Sequence, residues 1–268
     1  MKHKKILYFI IIIIIITISV IYFFPKKEKF QIEATETNIP QHENIVVSVP
    51  EKQTPQNSVT TANQYVITKN FDIIPKDPKS NKRIVLITID DGPSSQALGM
   101  MKILEAHNAK AIFFINGMHY KANPGVLEAE AKAGFPIGNH TWSHINLKNT
   151  KNTTLVDEEI ISNSDLIKKI TLSAPRFFRN PFGVSSAYSK ELIKKDNMIA
   201  MNWSDAAKDW EKTARDEKVF IKNVTDGLHP GSIILIHEHP WSLKNLDALL
   251  TTIEKLGYTF ADPNNIVE

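Results

Sequence analysis

From residue 83 onward, short apolar runs that end on polar residues alternate with stretches of helical periodicity. The run Ile84 to Ile89 is apolar at nearly every position, as in a strand covered on both faces, and it stops on Asp90-Asp91-Gly92-Pro93. Leu98, Met101, Ile103 and Leu104 then repeat at helical spacing. Continued along the chain, this reading predicts strands at 83–89, 111–115, 136–138, 176–179, 198–203, 232–237 and 258–260. Helices are predicted at 96–108, 124–133, 155–170, 186–195, 216–226 and 243–256. Strict alternation of this kind builds parallel βαβ units, in a barrel or an open α/β sheet. Such sheets carry their sites at the carboxyl ends of the strands, where Asp90 and Asp91 fall.

The segment before residue 83 reads differently. Residues 6–24 are almost unbroken apolar sequence, with seven consecutive isoleucines at 10–16. Nineteen helical residues at ~1.5 Å each approach the ~30 Å of a bilayer's hydrocarbon core, so residues 1–25 are expected to form a membrane anchor. The rival reading is a cleaved signal sequence. It fits less well because Tyr22-Phe23-Phe24-Pro25-Lys26-Lys27 stands where small residues would mark a cut. Residues 26–64, rich in Glu, Gln, Asn, Thr and Pro, bury too little to offset ordering and are expected to be a disordered stalk. Residues 65–81 turn apolar again and are expected to be one or two strands leading into a domain at 82–268.

Composition narrows the chemistry. A net charge of +3 over 268 residues, without an arginine-rich helix or finger spacing, argues against nucleic acid as a partner. The chain has no cysteine, so disulfides, thiolate catalysis and Cys-ligated zinc are excluded, and a metal would have to be held by His, Asp or Glu.

Four further motifs sit at or near predicted strand ends. His140-Thr141-Trp142-Ser143-His144 places two imidazoles at i and i+4, which on one helical turn share a face and can grip one divalent cation. Alone, such spacing is more often two surface histidines. With a carboxylate from another strand end, it leaves a coordination position open, as in catalytic rather than structural sites. Arg179-Asn180-Pro181-Phe182-Gly183 follows the apolar pair Phe177-Phe178. Its arginine is either a solvated loop charge or a guanidinium that orients a carboxylate, and Pro181 fixes the backbone so that the Phe182 N–H can serve as an oxyanion donor. Trp203 to Trp210 carries Asp205 and Asp209. Ile233 to His237 ends an apolar strand on a histidine suited to proton transfer, with His239 the competing candidate two residues on.

Taken together and in this order, the motifs resemble the polysaccharide deacetylase family, whose members include chitin, peptidoglycan and poly-N-acetylglucosamine deacetylases. Thr88 to Pro93 is similar to its T-F-D-D-G-P, His140 to His144 to its H-[ST]-x-x-H, Arg179 to Phe182 to its R-x-P-[YF], and Leu235 to His237 to its L-x-H. The resemblance implies a distorted (β/α) barrel over residues 82–268 with one divalent ion, zinc expected and cobalt an alternative, held by Asp91, His140 and His144. It further implies Asp90 as general base oriented by Arg179, His237 as general acid, and Leu235 lining the acetyl pocket beside Pro181, Phe182 and Trp210. Family members carry an acid four residues before the tryptophan as the partner of the catalytic histidine. Here that position is Ala206, so Asp205, one residue early, is the expected substitute.

The function expected is therefore hydrolysis of N-acetyl groups on an extracellular or cell-wall glycan, peptidoglycan first, by a monomeric enzyme anchored with its catalytic domain outside the membrane. A catalytically weak or inactive glycan-binding wall protein with the same fold and an O-acetyl (xylan-type) esterase are the alternatives, both resting on the displaced acid at Asp205.

Overall fold

The structure, a computed structural model, describes residues 64–267. The anchor expected at 1–25 and the stalk up to residue 63 lie outside the described residues. Among the described residues, no helix is long and apolar enough to cross a membrane.

A hairpin of β1 (Tyr65–Ile67) and β2 (Ile73–Pro75) leads in, paired antiparallel. It lies against the body of the fold through bridges from Tyr65 to Ile266 and from Asp72 to Ser232. Then come β3 (Ile84–Gly92), α1 (Ala97–Ala106), β4 (Ala111–Ile115), α2 (Val126–Lys132) and β5 (Ile137–Asn139). Next are α3 (Thr153–Thr171), β6 (Phe177–Phe178), α4 (Ala187–Lys195), β7 (Ile199–Ala200) and β8 (Asp205–Ala206). The chain ends through α5 (Glu217–Thr225), β9 (Ile233–His237), α6 (Pro240–Lys255) and β10 (Thr259–Phe260). The strands form one parallel sheet ordered β7-β6-β5-β4-β3-β9-β8, with β10 pairing on the start of β3. The ends β7 and β8 are not paired with each other, so the sheet is an open half-barrel rather than the closed barrel the alternation also permitted.

Strand alternation sorts the side chains. On β3, Val85, Ile87 and Ile89 join the core under the helices, whereas Ile84 and Leu86 join the core on the inner face. By the same period Thr88 and Asp90 turn inward. On β9, Ile234 and Ile236 face the helices while Ile233, Leu235 and His237 face in. The inner face is tight where β4 meets β5: a Cβ added at Gly138 would sit 2.3 Å from the ring of Phe114. Gly138→Ala is therefore expected to cost about 1–3 kcal/mol by overpacking, read as a lowered urea midpoint with an unchanged slope.

The predicted elements recur with shifted ends. Two differences bear on the site. The strand expected at 198–203 is only Ile199–Ala200, after which the chain crosses to form β8, a strand the sequence reading does not contain. Residues 140–144 are not a helical turn but a loop, with Thr141 and His144 at φ 68° and 59°.

Candidate metal-dependent hydrolytic site

At the carboxyl ends of β3, β5, β6 and β9 lies a cleft of about 440 Å³. Strand alternation alone would send two adjacent aspartates to opposite faces. Asp90 keeps the inner-face position. Asp91 adopts a left-handed backbone, φ 68°, at a register irregularity between Ile89 and Gly92, which swings its carboxylate back into the same cleft.

The loop after β5 brings in the histidines. The Glu159 carboxylate on α3 accepts hydrogen bonds from the backbone N–H of Ser143 (2.7 Å) and from the Ser143 hydroxyl, and Thr141 Oγ1 accepts from the His144 N–H at 3.1 Å. Behind the loop, Asn116 Nδ2 donates to the His140 carbonyl at 2.6 Å, and Asn139 Oδ1 accepts from the Thr141 N–H and from Asn163 Nδ2. The imidazoles thus converge by loop geometry instead of helical spacing, their ring centroids 4.9 Å apart. His140 Nδ1 lies 2.8 Å from the Arg179 carbonyl, which can only accept, so Nδ1 carries the proton and Nε2 presents a lone pair to the cleft. Burial, only partly offset by Asp91, pulls the His140 pKa down to about 3 and keeps the ring neutral.

These groups fit a cation. Asp91 Oδ1 is buried without a hydrogen-bond partner and lies 3.7 Å from His140 Nε2 and 3.6 Å from His144 Nε2. The three ligand atoms all lie within 4.8 Å of one another. Two imidazoles and a carboxylate are a donor set for zinc and similar ions, with room for further ligands.

Asp90 and Arg179 form a buried pair. Arg179 Nη1 donates to Asp90 Oδ1 and to Thr88 Oγ1, both at 2.8 Å, and its Nε and Nη2 donate to the carbonyls of Met201 and Asn202. The guanidinium also stacks over Phe114, 4.4 Å from the ring centroid. Asp90 Oδ2 is left facing the cleft, 3.5 Å from His140 Nε2. Burial raises the Asp90 pKa, with Arg179 the main opposing influence.

Opposite Asp90, its ladder partner His237 is tied to an acid. That acid is Asp209, not Asp205. Asp209 is fully buried, with Oδ1 2.7 Å from His237 Nδ1, and its Oδ2 accepts from the His237 N–H and the Ser242 hydroxyl, each at 2.6 Å. Burial of His237 opposes its charge, but the hydrogen bond and charge of Asp209, aided by Asp90 and Asp91, outweigh it and push the pKa up to about 9. Asp205 is the ladder partner of Ile234 on β8, so its side chain shares the helix-facing side with Ile234 and points away from the cleft. Its Oδ1 accepts from the Ala206 N–H at 2.8 Å, and burial raises its pKa to about 7. The role expected for Asp205 is corrected accordingly.

Of the other residues singled out from sequence, Leu235, Phe182 and Trp210 line the cleft, the last two more than half exposed, at 61% and 52%. Pro181 is buried beside Phe182, which takes a left-handed backbone at φ 59°, and does not itself line the cleft. Trp203 and Asn180 line it without having been assigned there, as does His239, the competing candidate for proton transfer. His239 stacks on His237 at 5.6 Å between centroids but lacks the Asp209 bond that distinguishes His237.

A family model described as Polysaccharide deacetylase matches residues 77–201. The chain is 34% identical over 192 residues to the peptidoglycan-N-acetylglucosamine deacetylase PgdA of Listeria monocytogenes, an alignment covering 70% of this chain and 40% of the relative. It thus spans about 40% of that relative's length. It is also 34% identical over 160 residues to a chitooligosaccharide deacetylase of Azorhizobium caulinodans, covering 59% of this chain and 75% of the relative. Among solved structures it is similar to a mutant of a CE4 family pseudoenzyme with restored enzymatic activity. That match has TM-score 0.64 and 26% identity, and covers 69% of this chain and 67% of the other.

Proposed function

Since the chain belongs to the polysaccharide deacetylase family, we propose that it hydrolyses N-acetyl groups on the N-acetylglucosamine units of a cell-wall or extracellular glycan, with peptidoglycan the first candidate. The observation that carries this reading is the presence of two proton-handling groups beside one convergent ligand set in a single cleft. Asp90 Oδ2 faces His140, and the Asp209-bound His237, the ladder neighbour of Asp90 on β9, lines the same cleft.

Asp91, His140 and His144 would hold the ion. A divalent cation there, with zinc favoured by the ligand set, supplies Lewis acidity to the acetamide carbonyl and acidifies water. The remaining steps belong to the chain. Arg179 occupies Asp90 Oδ1, leaving Oδ2 to take the proton from the attacking water as the C–O bond forms. His237, charged up to about pH 9, gives its proton to the nitrogen as the C–N bond breaks, so acetate and a free amino sugar leave. Leu235 at the cleft wall suits the acetyl methyl. An amide needs this leaving-group protonation more than an ester does, and the tuned His237 supports the N-acetyl reading over an O-acetyl one. The same tuning removes the displaced-acid argument for an inactive site.

For localisation, we place the catalytic domain outside the cell, carried on residues 1–25 as an anchor or released if that segment is cleaved. The chemistry of a wall glycan and the apolar run at 6–24 support this placement.

Acetate release from peptidoglycan and chitin oligomers by the full-length protein is expected, with loss on chelation and in His140→Ala, whose zinc affinity by competition titration should fall in parallel. Metal-replete wild-type protein that releases no acetate from peptidoglycan, chitin or poly-N-acetylglucosamine would overturn the reading.

A further inference from the structure

The catalytic cleft continues past His237 into a second depression of about 400 Å³, and Trp210 and His239 line both. Its walls form a graded stack. Trp210 meets His237 edge-on at 5.7 Å, His239 lies on Trp241 at 4.3 Å between centroids, and the Arg215 guanidinium sits over the far side of this series, 4.4 Å from the Trp241 ring. The platform is fixed from beneath, because the Trp241 indole N–H donates to the Asp209 carbonyl at 2.8 Å. The stack therefore holds the exposed guanidinium on a ring that is itself bonded to the backbone of Asp209, the residue that orients His237.

Neither Arg215 nor Lys212 beside it has a carboxylate within ion-pair distance among the described residues. The nearby Asp216 is occupied as the N-cap of α5, accepting from the N–H groups of Lys218 and Val219. Glu211 is the one carboxylate lining the depression, against two cations. An unpaired arginine pre-positioned on an aromatic platform is a fork for a carboxylate or phosphate, and its stacking removes part of the ordering cost of binding.

We propose that Arg215, with Lys212, forms an anion-binding subsite next to the catalytic cleft, receiving a carboxylate or phosphate carried by the glycan close to the acetamide being cleaved. This rests on the proposed deacetylase reading and sharpens it: the preferred substrate is an acidic glycan, such as one bearing lactyl-linked peptides, over a neutral one. The aromatic surfaces of Trp210 and Trp241 would flank the sugar that bears the charge.

The test compares three substrates on the full-length protein: peptidoglycan fragments with free peptide carboxylates, the same fragments with those carboxylates converted to methyl amides, and a phosphate-bearing N-acetylated glycan. Wild-type kcat/KM should favour the carboxylate form over the amide form by about 3- to 10-fold at low salt, mainly through KM, with the preference shrinking as salt rises. Arg215→Gln should erase most of that ratio, Arg215→Lys should restore part of it, and Arg215→Glu should invert it. A comparable preference for the phosphate glycan would identify phosphate as an accepted source of the charge; a neutral response to it would restrict the subsite to carboxylates. A wild-type ratio near one for both anions, or a ratio that survives Arg215→Gln, overturns the subsite. If no substrate releases acetate, the deacetylase reading fails separately, and the same ratios taken from calorimetric Kd values still decide the subsite.

Discussion

In Asp209→Asn, acetate release should fall about 100-fold or more, while Asp205→Asn should leave both the rate and its pH profile in place. The contrast follows from which face each acid occupies. Asp209 spends both oxygens on His237 and Ser242, and the sum of its hydrogen bond and charge holds the imidazole pKa at about 9 against burial. With a neutral amide in its place, the largest raising influences are gone and burial pulls the pKa down, so His237 is charged less of the time at neutral pH and less often has a proton to give. The alkaline limb of the activity profile should accordingly lie near pH 9 in the wild type and move to lower pH in Asp209→Asn.

The same pair has a stability signature. A histidine with a raised folded pKa contributes stability that is complete below its unfolded pKa near 6.5 and is lost as the pH rises through about 9. Asp209, held below its ordinary value because the His237 and Ser242 contacts outweigh burial, contributes stability above the usual carboxylate range and loses it in acid. Urea midpoints of the wild type against Asp209→Asn should therefore differ most between the usual carboxylate range and pH 6.5, and converge in alkali. An Asp209→Asn protein that keeps wild-type turnover and an unmoved alkaline limb would remove Asp209 from the mechanism.

Why sequence pointed to Asp205 is itself physical. Period-2 reasoning correctly warns that a one-residue shift turns a side chain over, and on β8 it does so: Asp205 shares a side with Ile234, and Ala206 with Leu235. The pattern could not show that the chain leaves the strand after two residues and turns through Lys208 at φ 52°, bringing Asp209 beneath His237. The long apolar runs were legible because burial on both faces writes them plainly, as in Ile84 to Ile89. Positive-φ turns leave weaker marks in ordinary side chains. Hence Asp91 reaches the cleft by a left-handed residue, and the His140 to His144 pair converges by a loop where its spacing suggested a helix. The asparagines behind that loop, at 116, 139 and 163, carried one available signal: Asn116 and Asn139 each terminate an apolar strand at the edge where the site is built.

Replacing Arg179 with methionine should cost about 3–5 kcal/mol of stability, the expected result of orphaning a buried charge. Arg179 has no exposed surface; its loss strips Asp90 Oδ1 and Thr88 Oγ1 of a donor, along with the carbonyls of Met201 and Asn202. Methionine fills much of the volume between Phe114 and Trp203 but supplies none of those bonds. Asp90 then faces burial without its main counterweight, and its pKa rises further. The sign of the pH dependence follows. A carboxyl whose folded pKa lies above its unfolded value favours the folded state below the unfolded pKa and loses that contribution as pH rises through the folded one. The deficit of Arg179→Met relative to wild type should thus be greatest near pH 8 and shrink toward pH 4. Adding Asp90→Asn to Arg179→Met should recover part of the lost stability at neutral pH without recovering turnover, because the orphaned charge is gone and so is the base. If the double variant is no more stable than the single one, the penalty lies in packing, and Asp90 and Arg179 are not coupled as their 2.8 Å contact implies.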